Sequence, residues 1–147
     1  MERRRDHRLP VEIFLTQYIN DRPYRSLATN ISMNGIFLNR LIEPVEYRNN
    51  LVQLELSLPG ANDTLWIAGE VIYHNFDPFF HQTGIKFKEF SSYDKRLLNE
   101  WIRFARNELI KTFLKKVMEY KRRNKTFKYK RLKVVRDLKG GLQVVVY

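Results

Sequence analysis

The sequence predicts a mainly β fold, a small antiparallel barrel followed by one long C-terminal α-helix and a basic tail that ends in a hairpin. Three observations carry this. Short stretches rich in β-formers recur between turn residues over roughly the first ninety positions. Residues 51–58 (LVQLELSL) alternate in period two, with Val52, Leu54, Leu56 and Leu58 opposite Leu51, Gln53, Glu55 and Ser57. After Phe90 the apolar spacing changes from two to three or four.

Each element follows in order. Residues 9–18 (LPVEIFLTQY) read as the first strand and residues 24–30 as a second, shorter one. Asn34-Gly35 is a turn signal, and Ile36-Phe37-Leu38 begins the next strand. Residues 59–63 (PGAND) form a loop. Residues 64–74 (TLWIAGEVIYH) form a strand bent at Gly69, because an interior glycine marks a bulge or barrel corner. Residues 83–88 (TGIKFK) form one more. Short strands at this spacing suit an antiparallel barrel or sandwich. Ser91 or Ser92 then caps a helix, with Asp94 in its first turn. Leu98, Trp101/Ile102, Ala105, Leu109, Phe113, Val117 and Tyr120 make one apolar stripe over about seven turns. Such a stripe covers the barrel or a partner helix rather than binding a cofactor. Arg103, Arg106, Lys111, Lys115 and Lys121 lie opposite. Residues 132–135 and 142–147 flank Asp137-Leu138-Lys139-Gly140-Gly141, a hairpin pattern. The division that results is a barrel domain over 1–104 and a basic helical extension with a hairpin over 105–147.

Charge supports that division. Residues 1–100 carry 12 Lys+Arg against 13 Asp+Glu, and residues 101–147 carry 15 against 3, so the net charge of +11 lies wholly in the last third. A near-neutral body disfavours nucleic acid as the main partner. There is no cysteine, which excludes disulfides, thiolate nucleophiles and cysteine-ligated zinc. No apolar run approaches a membrane span, and MERRRDHRLP lacks the apolar stretch of a secretory signal, so a cytoplasmic location is expected. His7, His74 and His81 show no metal-ligand spacing and read as surface or loop residues. Phosphate-loop, dinucleotide and nucleophile-elbow motifs are missing, and the acidic residues are scattered singly. The chain reads as a binding protein and not an enzyme, with no metal and no cofactor.

Two short motifs carry the binding chemistry. The first is Arg4-x-x-x-Arg8, preceded by Arg3, just before the first strand. Arginine presents a planar fork of donors to phosphate oxygens or to guanine O6 and N7, and it stacks on bases. The second is Asn30-x-Ser32-x-x-Gly35. Asparagine both donates and accepts, a serine hydroxyl can reach a phosphate, and glycine permits positive φ and a close approach of the backbone to a ligand. Each motif alone is also what a solvated basic terminus or an ordinary turn shows. Together, in this order and about twenty residues apart, they resemble the PilZ domain, the bacterial receptor module for cyclic di-GMP. Leu9-Pro-Val-Glu-Ile after the arginines, Ile36-Phe37-Leu38 after the glycine, Ile67-Ala-Gly-Glu-Val-Ile-Tyr and Thr83-Gly-Ile-Lys-Phe extend the resemblance over about residues 2–102. Asn30 stands where the family often has aspartate.

The resemblance implies a PilZ-type barrel and a cyclic di-GMP site. Arg4 and Arg8 would meet guanine edges and phosphates, Asn30 a guanine edge, Ser32 a phosphate or base, and Gly35 would let the chain pass close to the ligand. Arg3 would stack on a further guanine, favouring an intercalated nucleotide dimer. It also implies a receptor whose arginine arm orders on binding and which regulates a protein partner in motility, attachment or exopolysaccharide output. One alternative is a PilZ-like adaptor that works through protein contacts without nucleotide. Another is nucleic-acid binding through the tail, where Tyr120, Phe127 and Tyr129 interleave with Lys and Arg. Homo-oligomerisation through the C-terminal helix, and contact with anionic membrane through residues 120–136, are further uses of the basic segment, the latter not favoured.

Overall fold

The computed structural model describes residues 7–41, 50–76, 80–123 and 131–147. Among the described residues eight strands and one helix follow in the order β1 (Leu9–Ile19), β2 (Arg22–Ile31), β3 (Gly35–Leu41), β4 (Leu51–Ser57), β5 (Thr64–Phe76), β6 (Phe80–Glu89), α1 (Ser92–Arg122), β7 (Leu132–Arg136) and β8 (Leu142–Val146). Strands β1 to β6 pair antiparallel in the order β2-β3-β6-β5-β4-β1, and a β1–β2 pairing closes the ring. The barrel and the terminal hairpin that the sequence predicts are both present.

Period-two patterning builds the barrel. Alternate residues of β1 (Leu9, Val11, Ile13, Leu15, Ile19) and β4 (Val52, Leu54, Leu56) are buried, while their neighbours face outward. Several strands run past their sequence-read ends. β1 reaches Ile19 and β2 starts at Arg22 because Asn20 (φ 52°) and Asp21 (φ 66°) make a two-residue turn with both residues left-handed. That geometry matches the twist of a tight hairpin and suits Asn and Asp. The bend at Gly69 is present as a register shift between Ala68 and Gly69, where a Cβ would meet Ile85 Cγ2 at 2.5 Å.

The helix starts where its cap predicts. Ser91 Oγ accepts from the Asp94 N–H at 3.0 Å. Leu98, Trp101, Ile102 and Ala105 are buried against the barrel, and Trp101 Nε1 donates to the Pro59 carbonyl at 2.9 Å. Burial stops there. Along the same stripe Leu109 is only partly buried against the core and Phe113 is 45% exposed, so the first half of the stripe is what meets the barrel. Among the described residues no helix is long and apolar enough to cross a membrane.

The final hairpin joins the barrel sheet. β7 pairs parallel with β1 through Val11↔Val134 and Glu12↔Val135, and antiparallel with β8. β2 lines one edge of β1, so β7 and β4 share the other, β7 at Val11 and Glu12 and β4 at Thr16 to Tyr18. Val134 is fully buried in the core. Lys133 ion-pairs with Glu12, Arg136 donates to the Ser57 carbonyl, and the Gly60 N–H donates to the Gly140 carbonyl at 2.8 Å.

Candidate ligand-binding site

The two sequence motifs meet at one end of the β1–β2 pair. Leu9 pairs with Ile31 and Pro10 with Asn30, so the residue before β1 lies beside the end of β2 by register alone. Arg8 Nη1 donates to Asn30 Oδ1 at 2.9 Å across 22 residues of sequence. The Arg8 guanidinium lies 4.5 Å from the Phe37 ring centroid, within cation–π range. Arg3 and Arg4 lie outside the described residues.

Ser32, Met33 and Asn34 make the turn into β3. Ser32 Oγ accepts from the N–H groups of Asn34 and Gly35, at 3.2 Å each, and the Ser32 N–H donates to the Gly35 carbonyl at 2.9 Å. The hydroxyl is almost wholly buried and turned into its own turn, where the sequence reading expects a contact to phosphate or base. Gly35 departs from expectation in one respect. Its φ is not in the left-handed region, which among the glycines only Gly60 and Gly140 occupy. Glycine is required at 35 because β3 passes tightly against β6: a Cβ would stand 2.5 Å from the Ile85 carbonyl oxygen. The close approach read from the sequence is thus made to the chain's own backbone.

Sequence reasoning missed the aromatic surroundings. Asn30, Phe37, Gly84 and Tyr73 are successive cross-strand partners on β2, β3, β6 and β5. The Phe37 and Tyr73 rings stand 6.0 Å apart, tilted by 58°, over the gap left by Gly84. The available signal was Phe37 two residues after the motif glycine together with the Thr83-Gly84-Ile85 strand.

The other end of the barrel holds a polar interior. His81 is 3% exposed on β6, so the reading of all three histidines as surface or loop residues is corrected for this one. The residue alternates with Thr83 and Ile85, both buried, and therefore points inward. Arg40 Nη2 donates to His81 Nδ1 at 2.8 Å, which leaves the His81 proton on Nε2, facing His74 Nδ1 at 2.8 Å. Burial, then the Arg40 charge, then His74 push the His81 pKa down to about 4. Among the described residues no group of three or more His, Asp or Glu could hold a metal ion.

Comparison with known proteins identifies the fold. The model of the PilZ domain matches residues 2–104. Among solved structures, MotI/DgrA, the inhibitor of motility of Bacillus subtilis, is similar at 21% identity with a TM-score of 0.59, over 73% of this chain and 53% of that one. The complex of K. pneumonia MrkH with c-di-GMP is similar at 19% identity and TM-score 0.60, over 76% of this chain and 55% of that one. The PilZ domain of YcgR from Escherichia coli, with c-di-GMP, is similar at 16% identity and TM-score 0.54, over 75% of this chain and 99% of that one. The chain thus spans about half the length of MotI and MrkH, and at these identities the likeness is one of fold. No curated protein matches the sequence. Matched over residues 2–104, with its six-stranded barrel closed by β1 and β2, the chain belongs to the PilZ domain family.

Proposed function

We propose that this chain is a non-catalytic receptor for cyclic di-GMP. The observation that carries the reading is the Arg8–Asn30 hydrogen bond, which joins two motifs 22 residues apart in one polar site. A guanidinium offers five N–H donors in one plane, a match for guanine O6 and N7 and for phosphate oxygens. Asn30 accepts from Arg8 through Oδ1, and its amide carries donors for a base edge. Ser32 and Gly35 hold the turn that places Asn30, while Arg3 and Arg4 bring the further cations that a doubly anionic, two-base ligand calls for. Arg3 stacking on a second nucleotide supports binding of an intercalated dimer.

Binding orders the arginine leader over the ligand, and that ordered surface is what a protein partner in motility, attachment or exopolysaccharide output reads. The c-di-GMP complexes of MrkH and YcgR support the ligand class for this fold. Isothermal titration with cyclic di-GMP, against GTP as control, tests the reading. Binding by the wild type and its loss in Arg4→Ala/Arg8→Ala are expected; unchanged affinity in the double variant refutes the site.

A further inference from the structure

Arg8 does not stand alone in its site. Its guanidinium lies 4.5 Å from the centre of the Phe37 ring. The ring rests on Gly84, where a Cβ would stand 3.3 Å from two ring atoms and 3.2 Å from the Tyr73 Cβ. Tyr73 closes the same gap from β5, its ring 6.0 Å from Phe37. Gly84, the Phe37 ring and the Arg8 guanidinium are thus neighbours on the outer side of the barrel. Asn30 fixes the guanidinium within its plane by the 2.9 Å hydrogen bond.

We infer that Phe37 is a positioning residue for the nucleotide: it holds the Arg8 guanidinium in place over its ring so that a guanine base stacks on the guanidinium from the other side. The inference rests on the cyclic di-GMP reading above. An unrestrained arginine loses much rotamer freedom when it stacks on a base. Here the ring and Asn30 remove that freedom before the ligand arrives, which raises affinity without any new contact to the ligand. Phe37 lies outside both motifs, and its half-buried ring sits beside Gly84 and beneath the Arg8 guanidinium. An aliphatic residue of similar bulk would fill the dip at Gly84 but would offer no π face to the cation.

The test is isothermal titration of the full chain with cyclic di-GMP, using wild type, Arg8→Ala, Phe37→Leu and Phe37→Tyr, with the melting temperature of each. Phe37→Leu should bind about ten-fold more weakly, the cost of ordering one freed arginine side chain on binding, and should still unfold in one cooperative transition well above the titration temperature. Phe37→Tyr keeps the ring face and should stay within about three-fold of wild type. Gly84→Ala, which tips the ring without changing it, should weaken binding in the same direction. Wild-type affinity in Phe37→Leu while Arg8→Ala abolishes binding would overturn this inference and leave the receptor reading intact. Equal weakening in Phe37→Leu and Phe37→Tyr would overturn it as well. A wild type that does not bind, or an Arg8→Ala variant that binds as wild type does, overturns the receptor reading and this inference with it.

Discussion

Replacing Gly35 by alanine tests whether the motif glycine serves strand packing or backbone conformation. The new Cβ would sit 2.5 Å from the Ile85 carbonyl oxygen. An ordinary carbon–oxygen approach between strands is about 3.3 Å, so β3 and β6 must separate by about 0.8 Å. The opposing atom is backbone, so no rotamer change relieves the contact. Ile36 and Ile85, paired next in the ladder, are 1% and 2% exposed and cannot be shifted without opening the core. Forced overpacking costs about 1–3 kcal/mol. Weakening the adjacent Phe87 N–H to Asn34 carbonyl bond, 2.8 Å long, adds about 1 kcal/mol. The reduced entropy of the unfolded chain returns about 0.5–1 kcal/mol. The net loss is about 1–3.5 kcal/mol, or a melting temperature lower by roughly 3–11 °C for a chain of this length. Urea unfolding followed by circular dichroism measures it. Gly35→Asn separates the two explanations, because asparagine tolerates a left-handed φ and would rescue a conformational requirement. A loss below about 0.5 kcal/mol in Gly35→Ala, or clear recovery in Gly35→Asn, would refute the packing argument.

Three further outcomes follow from the same geometry. Ser32→Ala leaves the Asn34 and Gly35 N–H groups without their buried acceptor and should cost about 1–3 kcal/mol in urea unfolding. His81 has a folded pKa of about 4 against 6.5 as its ordinary value, so the unfolded chain binds the proton first as pH falls. Its contribution is complete above pH 6.5 and is lost between 6.5 and 4. Allowing for screening it is about 1–2 kcal/mol, and the pH slope of stability across that window should flatten in His81→Gln. Val134→Ala should lower stability by about 2 kcal/mol within a single cooperative transition, since this β7 residue is fully buried in the barrel core. A separate, low-stability transition for the hairpin would contradict that packing.

Much of the barrel could be read from local pattern, and the reason lies in the one-sided burial of its strands. Val52, Leu54 and Leu56 alternate with outward residues because only one face of β4 meets the core. Ser91 could be read as a cap because capping is a contact over three residues. The features that escaped depend on contacts far apart in sequence. Periodicity shows that α1 has an apolar face; it does not show that the face is covered at Leu98 and nearly half exposed at Phe113. Nothing near Val134 announces a parallel partner at Val11. His81 is polar by type, and its inward direction follows from the β6 register. Within the site, the residue types at Arg8, Asn30, Ser32 and Gly35 could be read directly. The tasks of Ser32 and Gly35 depend on what stands opposite them, namely their own turn and the Ile85 carbonyl.

The shared edge of β1 bears on how the protein is made. Val11 and Glu12 leave the ribosome roughly 120 residues before Val134 and Val135, their partners on β7. At ordinary elongation speeds that is a wait of about 6–24 seconds. Through it, a piece of strand next to the nascent barrel has bare amide and carbonyl groups open to any passing chain. Pro10, which lacks an N–H, and the negative charge of Glu12 make that piece a poor template for a stranger, and Lys133 on the late-arriving strand brings the charge that Glu12 has been waiting to meet.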